Sequence, residues 1–201
     1  WKFLEAIANA MREEYRAIVD AGFIVQLDDP GLPGAWDMLD PQPSVEEYRR
    51  YASQRVEILN QALDGIPPDR VRYHICWGSW HGPHTTDFPL RDIADIMLRV
   101  NAQAYLIEAG NVRHEHEYKV WRDVKLPAGK ILIPGVVSHS TDLVEHPELV
   151  ADRLITFGEI VGRENVMAGT DCGLGPRVGD PQIAWAKFEA MAEGARLATK
   201  E

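Results

Sequence analysis

Val71-Arg72-Tyr73-His74-Ile75-Cys76 is the stretch on which the fold turns: a short β-prone run that ends in two chemistry-bearing side chains. A loop of glycine, proline and histidine follows, then a helical pattern through Leu90, Ile93, Ala94, Met97 and Leu98. The same alternation appears on both sides. Upstream, Leu4, Ile7, Ala8, Met11, Tyr15, Ile18 and Val19 recur at helical spacing, and Gly22 stops them before an apolar run over 23–27. Ser44 and Glu47 have the form of a capping box, continued as a helix by Val45, Tyr48, Ala52, Val56 and Leu59. Downstream, 104–108, 131–137 and 166–170 read as strands. Val150, Leu154, Phe157, Val161 and, after Asp180-Pro181, Ala184, Phe188, Met191, Ala195 read as helices. The expectation is five strands and about six helices.

Strands apolar on both faces and alternating with helices specify an α/β class with a parallel sheet. Polar residues gather at the carboxyl ends of the strands: Asp28, His74 with Cys76, Glu108, His139 and Cys172. In a (β/α)8 barrel of the TIM type all strand ends face one mouth, whereas an open doubly wound sheet spreads them along a crevice. Five units are too few for an eight-strand barrel, which takes about 250 residues. Residues 1–201 therefore read as a single domain, the carboxyl-terminal five or so βα units of a barrel. The remaining strands would be absent or supplied by another chain. The chain opens on Trp1 without an initiator methionine, which fits a piece of something longer.

Composition narrows the partners. Acidic residues outnumber basic ones 31 to 21, a net charge of −10, which argues against nucleic acid or an anionic membrane and for small molecules. No apolar run has the length of a membrane span, and no secretory pattern opens the chain, so a cytoplasmic protein is expected. Homo-oligomerisation is compatible with the open sheet edges an incomplete barrel would present. Cys76 and Cys172 are too few for a disulfide framework and read as thiols or metal ligands.

His74-x-Cys76 places two donors on one side of a strand, within reach of one ion, although a core cysteine beside a hydrogen-bonded histidine is the plainer reading of the pair alone. Glu108 closes another apolar run, and a carboxylate there is costly unless paired or metal-bound. With Cys172 of Gly169-Thr170-Asp171-Cys172-Gly173, the set is one nitrogen, two sulfurs and one oxygen, suited to tetrahedral Zn2+. Ligands spread over three strands suggest a catalytic site, in which Glu108, the hardest ligand, yields to an incoming substrate.

These residues resemble the cobalamin-independent methionine synthases and their smaller single-barrel relatives. His74-Ile75-Cys76, Glu108 and Asp171-Cys172-Gly173-Leu174 are similar to that family's zinc ligands in order and strand context. Val25-Gln26-Leu27-Asp28-Asp29-Pro30 resembles its Ile-Asp-Glu-Pro segment, with Asp29 in place of the glutamate, and Ser138-His139-Ser140 its catalytic-histidine stretch. The resemblance implies that zinc binds a substrate thiol, lowers its pKa and presents a thiolate to an electrophilic carbon.

It further implies that Asp28 binds a cationic part of the substrate and that His139 protonates the leaving group. The plainer readings are a turn residue before Pro30 and a satisfied polar group at a strand end. Asn111-Val112-Arg113-His114-Glu115-His116-Glu117 reads as a solvated loop or helix start with ion pairs; a similar stretch in the smaller relatives puts Arg113 at the border of the substrate pocket. Trp77, Trp80, His81 and His84 either line the mouth or pack over the rim.

The expected activity is zinc-dependent transfer of a methyl or other alkyl group to a thiol, as in methionine biosynthesis, with a methylated folate among the candidate donors. Two alternatives stand beside it. One is thiol addition to an epoxide, as in other zinc relatives of this barrel; the other is a binding domain without turnover. Uroporphyrinogen decarboxylase shares the barrel but lacks the zinc set.

Overall fold

The computed structural model describes residues 1–78, 82–175 and 177–200. They form two compact units, the first of Trp1–Trp77 with Thr86–Tyr105 and the second of Gly78–Thr85 with the chain from Leu106 onward. The class is α/β, with parallel strands, as the alternation predicts. Among the described residues no helix is long and apolar enough to cross a membrane.

In the first unit, helix α1 (Lys2–Asp20) carries its apolar face as expected but fully buries only Ala8. Gly22 ends it at φ +90°, a conformation that L side chains rarely adopt. Strand β1 (Val25–Asp28) starts later than the 23–27 run suggests. The Phe23 amide still donates to the helix carbonyl of Ile18, so Phe23 and Ile24 belong to the turn and stay exposed. A single turn, α2 (Gly31–Gly34), leads to α3 (Val45–Ala62). Its capping box is formed: the Glu47 amide donates to Ser44 Oγ at 3.3 Å and the Ser44 amide to Glu47 Oε2 at 2.9 Å.

Strand β2 (Val71–His74) runs parallel to β1 in the register Val25↔Val71 to Asp28↔His74. The helix expected from 90 to 98 is instead a 3-10 turn (Leu90–Asp92) and one α turn, α4 (Ala94–Met97). The segment has to bend back through Val100 and Ala102 to reach β3 (Ala104–Ile107), which leaves no room for further turns. The core beside α3 is aromatic. Tyr48, fully buried, meets Trp36 edge-on at 5.3 Å and Phe88 at 4.7 Å between ring centroids. Its hydroxyl donates to the Leu32 carbonyl at 2.6 Å, and burial pushes the phenol pKa up, so it stays a donor.

The strand order is β1-β2-β3 in the first unit and β3-β4-β5 in the second, β3 crossing from one to the other. Strand β4 (Ile131–Val137) pairs in parallel with β5 (Gly169–Thr170). The run 166–170 is only partly a strand, because the register shifts between Gly135 and Val137 and leaves Leu132↔Val166 as a separate bridge. Helices α5 (Pro147–Val161) and α6 (Pro181–Ala198) pack over β4 on a cluster of Val136, Val137, Val150 and Leu154, joined by Met191 and Ala195.

The apolar stripe read on α6 is rotated from its expected place. Lys187, Ala190 and Gly194 are buried, whereas Trp185 and Phe188 are exposed to 69% and 39%. Gly194 accounts for this: a Cβ there would lie 2.4 Å from Val150 Cβ, so the two helices meet where only glycine fits.

Candidate active site

In the second unit the ends of β3, β4 and β5 come together around one carboxylate. Asp171 is fully buried, and its Oδ1 accepts from the Ala109 and Gly110 amides at 2.8 and 2.7 Å. Its Oδ2 accepts from Asn111 Nδ2 at 3.0 Å, and its own amide donates to the Val137 carbonyl at 3.0 Å. Two glycines make the approach possible. A Cβ on Gly135 would lie 2.1 Å from Asp171 Oδ1, and one on Gly110 would lie 3.2 Å from the Gly135 carbonyl oxygen. Burial pushes the Asp171 carboxyl pKa up, opposed by these amides and by Asn111.

Asp171 in turn fixes Glu108. Asn111 Nδ2 also donates to Glu108 Oε2 at 2.8 Å, so one amide holds both carboxylates. Glu108, His139 and Asp171 are all buried and each offers a donor atom within 4.8 Å of the others. Asp171 is a member of this buried cluster that the strand-end reading missed. The criterion applied to Glu108, an acid at the end of an apolar run, was equally met at Asp171.

His139 sits on a braced loop. The Ser138 amide donates to Glu145 Oε1 at 2.7 Å, and the Ser138 and Ser140 hydroxyls lie 2.8 Å apart. Glu145 Oε2 accepts from Lys187 Nζ at 2.9 Å, and the same ammonium donates to the Leu143 carbonyl at 2.6 Å. A lysine from α6, fully buried, thus pins the loop that carries the histidine.

A cavity of about 590 Å3 opens onto Glu108 and His139 and is also lined by Asn111, Arg113, His114 and His84. His84 holds a left-handed backbone at φ 47°, uncommon for a non-glycine residue. Of the two readings of the Asn111 to Glu117 stretch, the helix start with ion pairs is the one that forms, a 3-10 helix beginning at Glu115 with Glu115 paired to Arg153 and Glu117 to His114, but Asn111, His114 and Glu117 are buried rather than solvated. The cause is local, since Asn111 Oδ1 accepts from the Arg113 and His114 amides and the His114 ring bonds Glu117, so the turn meets its own polar demands. Cys172 follows Asp171 and is half-buried.

In the first unit His74 ends β2, and Ile75 and Cys76 continue it, all buried. Asp28 at the end of β1 is exposed and accepts from Gln26 Nε2 at 3.0 Å. Asp29 is engaged instead: Arg55 Nη2 lies 2.8 Å from Oδ1, and the Tyr73 hydroxyl donates to Oδ2 at 2.8 Å. Of the two neighbouring acids, Asp28 is the exposed one and Asp29 the one paired with Arg55. Trp77 is 4% exposed and its Nε1 donates to the Phe88 carbonyl at 2.7 Å; it is packed inside the first unit and is not among the residues lining the cavity of the second. Trp80 and His81 lie outside the described residues.

The chain belongs to the family described as Cobalamin-independent synthase, Catalytic domain, which it matches over residues 2–196. Among curated relatives, it is 23% identical to a 2-hydroxypropyl-CoM lyase of Xanthobacter autotrophicus, over 98% of this chain and 54% of that protein. It is 21% identical to a methionine synthase of Sulfurisphaera tokodaii, over 97% of this chain and 49% of that one. Its fold matches that of a B12-independent methionine synthase from Shewanella sp. W3-18-1, solved with selenomethionine, at a TM-score of 0.76 and 21% identity. That match covers 98% of this chain and 54% of the other. The chain thus spans about half the length of the relatives it matches.

Proposed function

We propose that the chain is the carboxyl-terminal part of a (β/α)8 barrel that transfers an alkyl group, methyl foremost, to a thiol, with Zn2+ held by His74, Cys76, Glu108 and Cys172. The observation that carries this reading is the buried carboxylate of Glu108, oriented through Asn111 Nδ2 and lining a cavity it shares with a buried histidine. The donor set fits the ion: one imidazole, two thiols and one carboxylate, three of the four residues buried. Zinc so held supplies the means of keeping a substrate thiol deprotonated at neutral pH, where a free thiol of pKa about 8.5 is mostly protonated.

The chain's own residues do the rest. Asp28, exposed and without an ion-pair partner among the described residues, accepts an ammonium of the substrate. His139 gives a proton to the leaving group, and the Glu145 and Lys187 brace fixes where its loop stands. Arg113 borders the substrate in the cavity.

The two curated relatives are named for different reactions, a synthase and a lyase, so the alkyl donor is the open variable. A test incubates zinc-loaded protein with a panel of thiols and with methyltetrahydrofolate, simpler methyl donors and epoxides, following thiol loss. Turnover with one donor class, lowered about 100-fold or more in His139→Gln, is expected. Thiol affinity without turnover for any donor would replace this reading by a binding domain.

A further inference from the structure

Asn111 uses both polar atoms of its side chain, and the way it does so bears on Glu108. Its Oδ1 accepts from the Arg113 and His114 amides at 3.0 and 3.1 Å. An amide oxygen only accepts and an amide nitrogen only donates, so these two N–H groups fix which end of the side chain is Nδ2. One N–H of Nδ2 then goes to Glu108 Oε2 at 2.8 Å and the other to Asp171 Oδ2 at 3.0 Å. The side chain is held from four directions in a residue that is 6% exposed, so it cannot turn away from either acid.

Glu108 has need of such a neighbour. It is 3% exposed and lies on the same amide as a second acid, itself fully buried. As the hardest ligand, Glu108 is the one that gives way to a substrate thiol: the sulfur–metal bond forms, the bond from the Glu108 oxygen to the metal breaks, and the thiol proton leaves to water through the cavity. A buried acid released in this way has lost its cation, which is costly unless a donor is already aimed at it. A hydrogen bond to a bare carboxylate is also stronger than one to a carboxylate whose charge a metal partly cancels. Asn111 thus stabilises the released acid more than the ligated one.

We propose that Asn111 is a positioning residue for this ligand exchange, its Nδ2 holding Glu108 when Glu108 leaves the metal so that a substrate thiol takes the vacated place. This rests on the zinc and thiol reading above and adds a residue to it. Asn111 acts through Glu108 and not on the reacting atoms.

The test loads the full chain with Co2+ in place of Zn2+ and follows the thiolate-to-metal absorption band during titration with 2-mercaptoethanol and with homocysteine. In the parent, at least one thiol is expected to raise the band saturably. Asn111→Leu, which removes the donor, should need about tenfold more of that thiol. Asn111→Ser should be weakened similarly, because its hydroxyl can still accept from the turn amides but is too short to replace Nδ2; it keeps the test open if the leucine variant fails to fold. The distinguishing measurement repeats both substitutions in Glu108→Ala. With no acid to hold, each should change the thiol affinity by no more than about twofold, whereas a merely structural role would carry its full loss over. The proposal is overturned if Asn111→Leu or Asn111→Ser binds the thiol as the parent does, or if the loss persists undiminished without Glu108. Failure of the thiol reading would show instead as metal-loaded parent chain that raises no such band with either thiol.

Discussion

Asp171→Ala is expected to lower stability by about 3–6 kcal/mol, seen as a large fall in the urea midpoint. Two effects oppose each other. Removing a carboxyl whose burial pushes its pKa up relieves an unfavourable desolvation. Against that, the Ala109 and Gly110 amides and one N–H of Asn111 Nδ2, whose other N–H keeps Glu108, lose their acceptor inside the protein, at about 1–3 kcal/mol each. Three orphaned donors outweigh one relieved acid. Asp171→Asn keeps an oxygen for the amides but sets an NH2 against Asn111 Nδ2, so it should fall between parent and alanine. Gly135→Ala strikes the same contact from β4, where backbone atoms of Asp171 leave a Cβ no place. A midpoint unchanged in Asp171→Ala would mean that those amides find their acceptor elsewhere.

Glu145→Ala should be nearly as severe, about 3–5 kcal/mol, because it leaves the Lys187 ammonium buried and opposite no charge. Replacing both residues by apolar ones of similar size, Glu145→Leu with Lys187→Met, is expected to recover much of that loss, since desolvation of two charges offsets most of their attraction. The double variant separates stability from function. It still lacks the acceptor of the Ser138 amide, so the His139 loop loses its brace and the transfer rate should stay low even where the midpoint recovers. A rate that returns with the midpoint would show that Glu145 acts on folding alone.

What the sequence made legible here is local. The capping box at Ser44 and Glu47 and the Asp180-Pro181 start of α6 concern neighbours a few positions apart, and both form as read. The alternation of runs gives the class for the same reason, and the family follows from motifs that keep their order along the chain. Less legible was whatever depends on a distant partner. Asp171 looks like one more loop acid until Gly110 and Asn111, some sixty positions away, are set beside it. Lys187 sits in a helical pattern that put Phe188 inward; only the close contact of Gly194 with Val150 shows that the buried face is turned toward the lysine. The Asn111 to Glu117 stretch, polar but for Val112, read as a solvated loop or helix start, yet Asn111, His114 and Glu117 satisfy one another's polar demands and are buried.

The most direct measurement is the zinc content of the purified chain, grown with zinc and read together with X-ray absorption at the metal edge. About one zinc per chain with two sulfur neighbours is expected, lost in Cys76→Ser and in Cys172→Ser while far-ultraviolet circular dichroism stays unchanged. A normally folded protein without zinc, or one that keeps its zinc when either cysteine is replaced, would contradict the account.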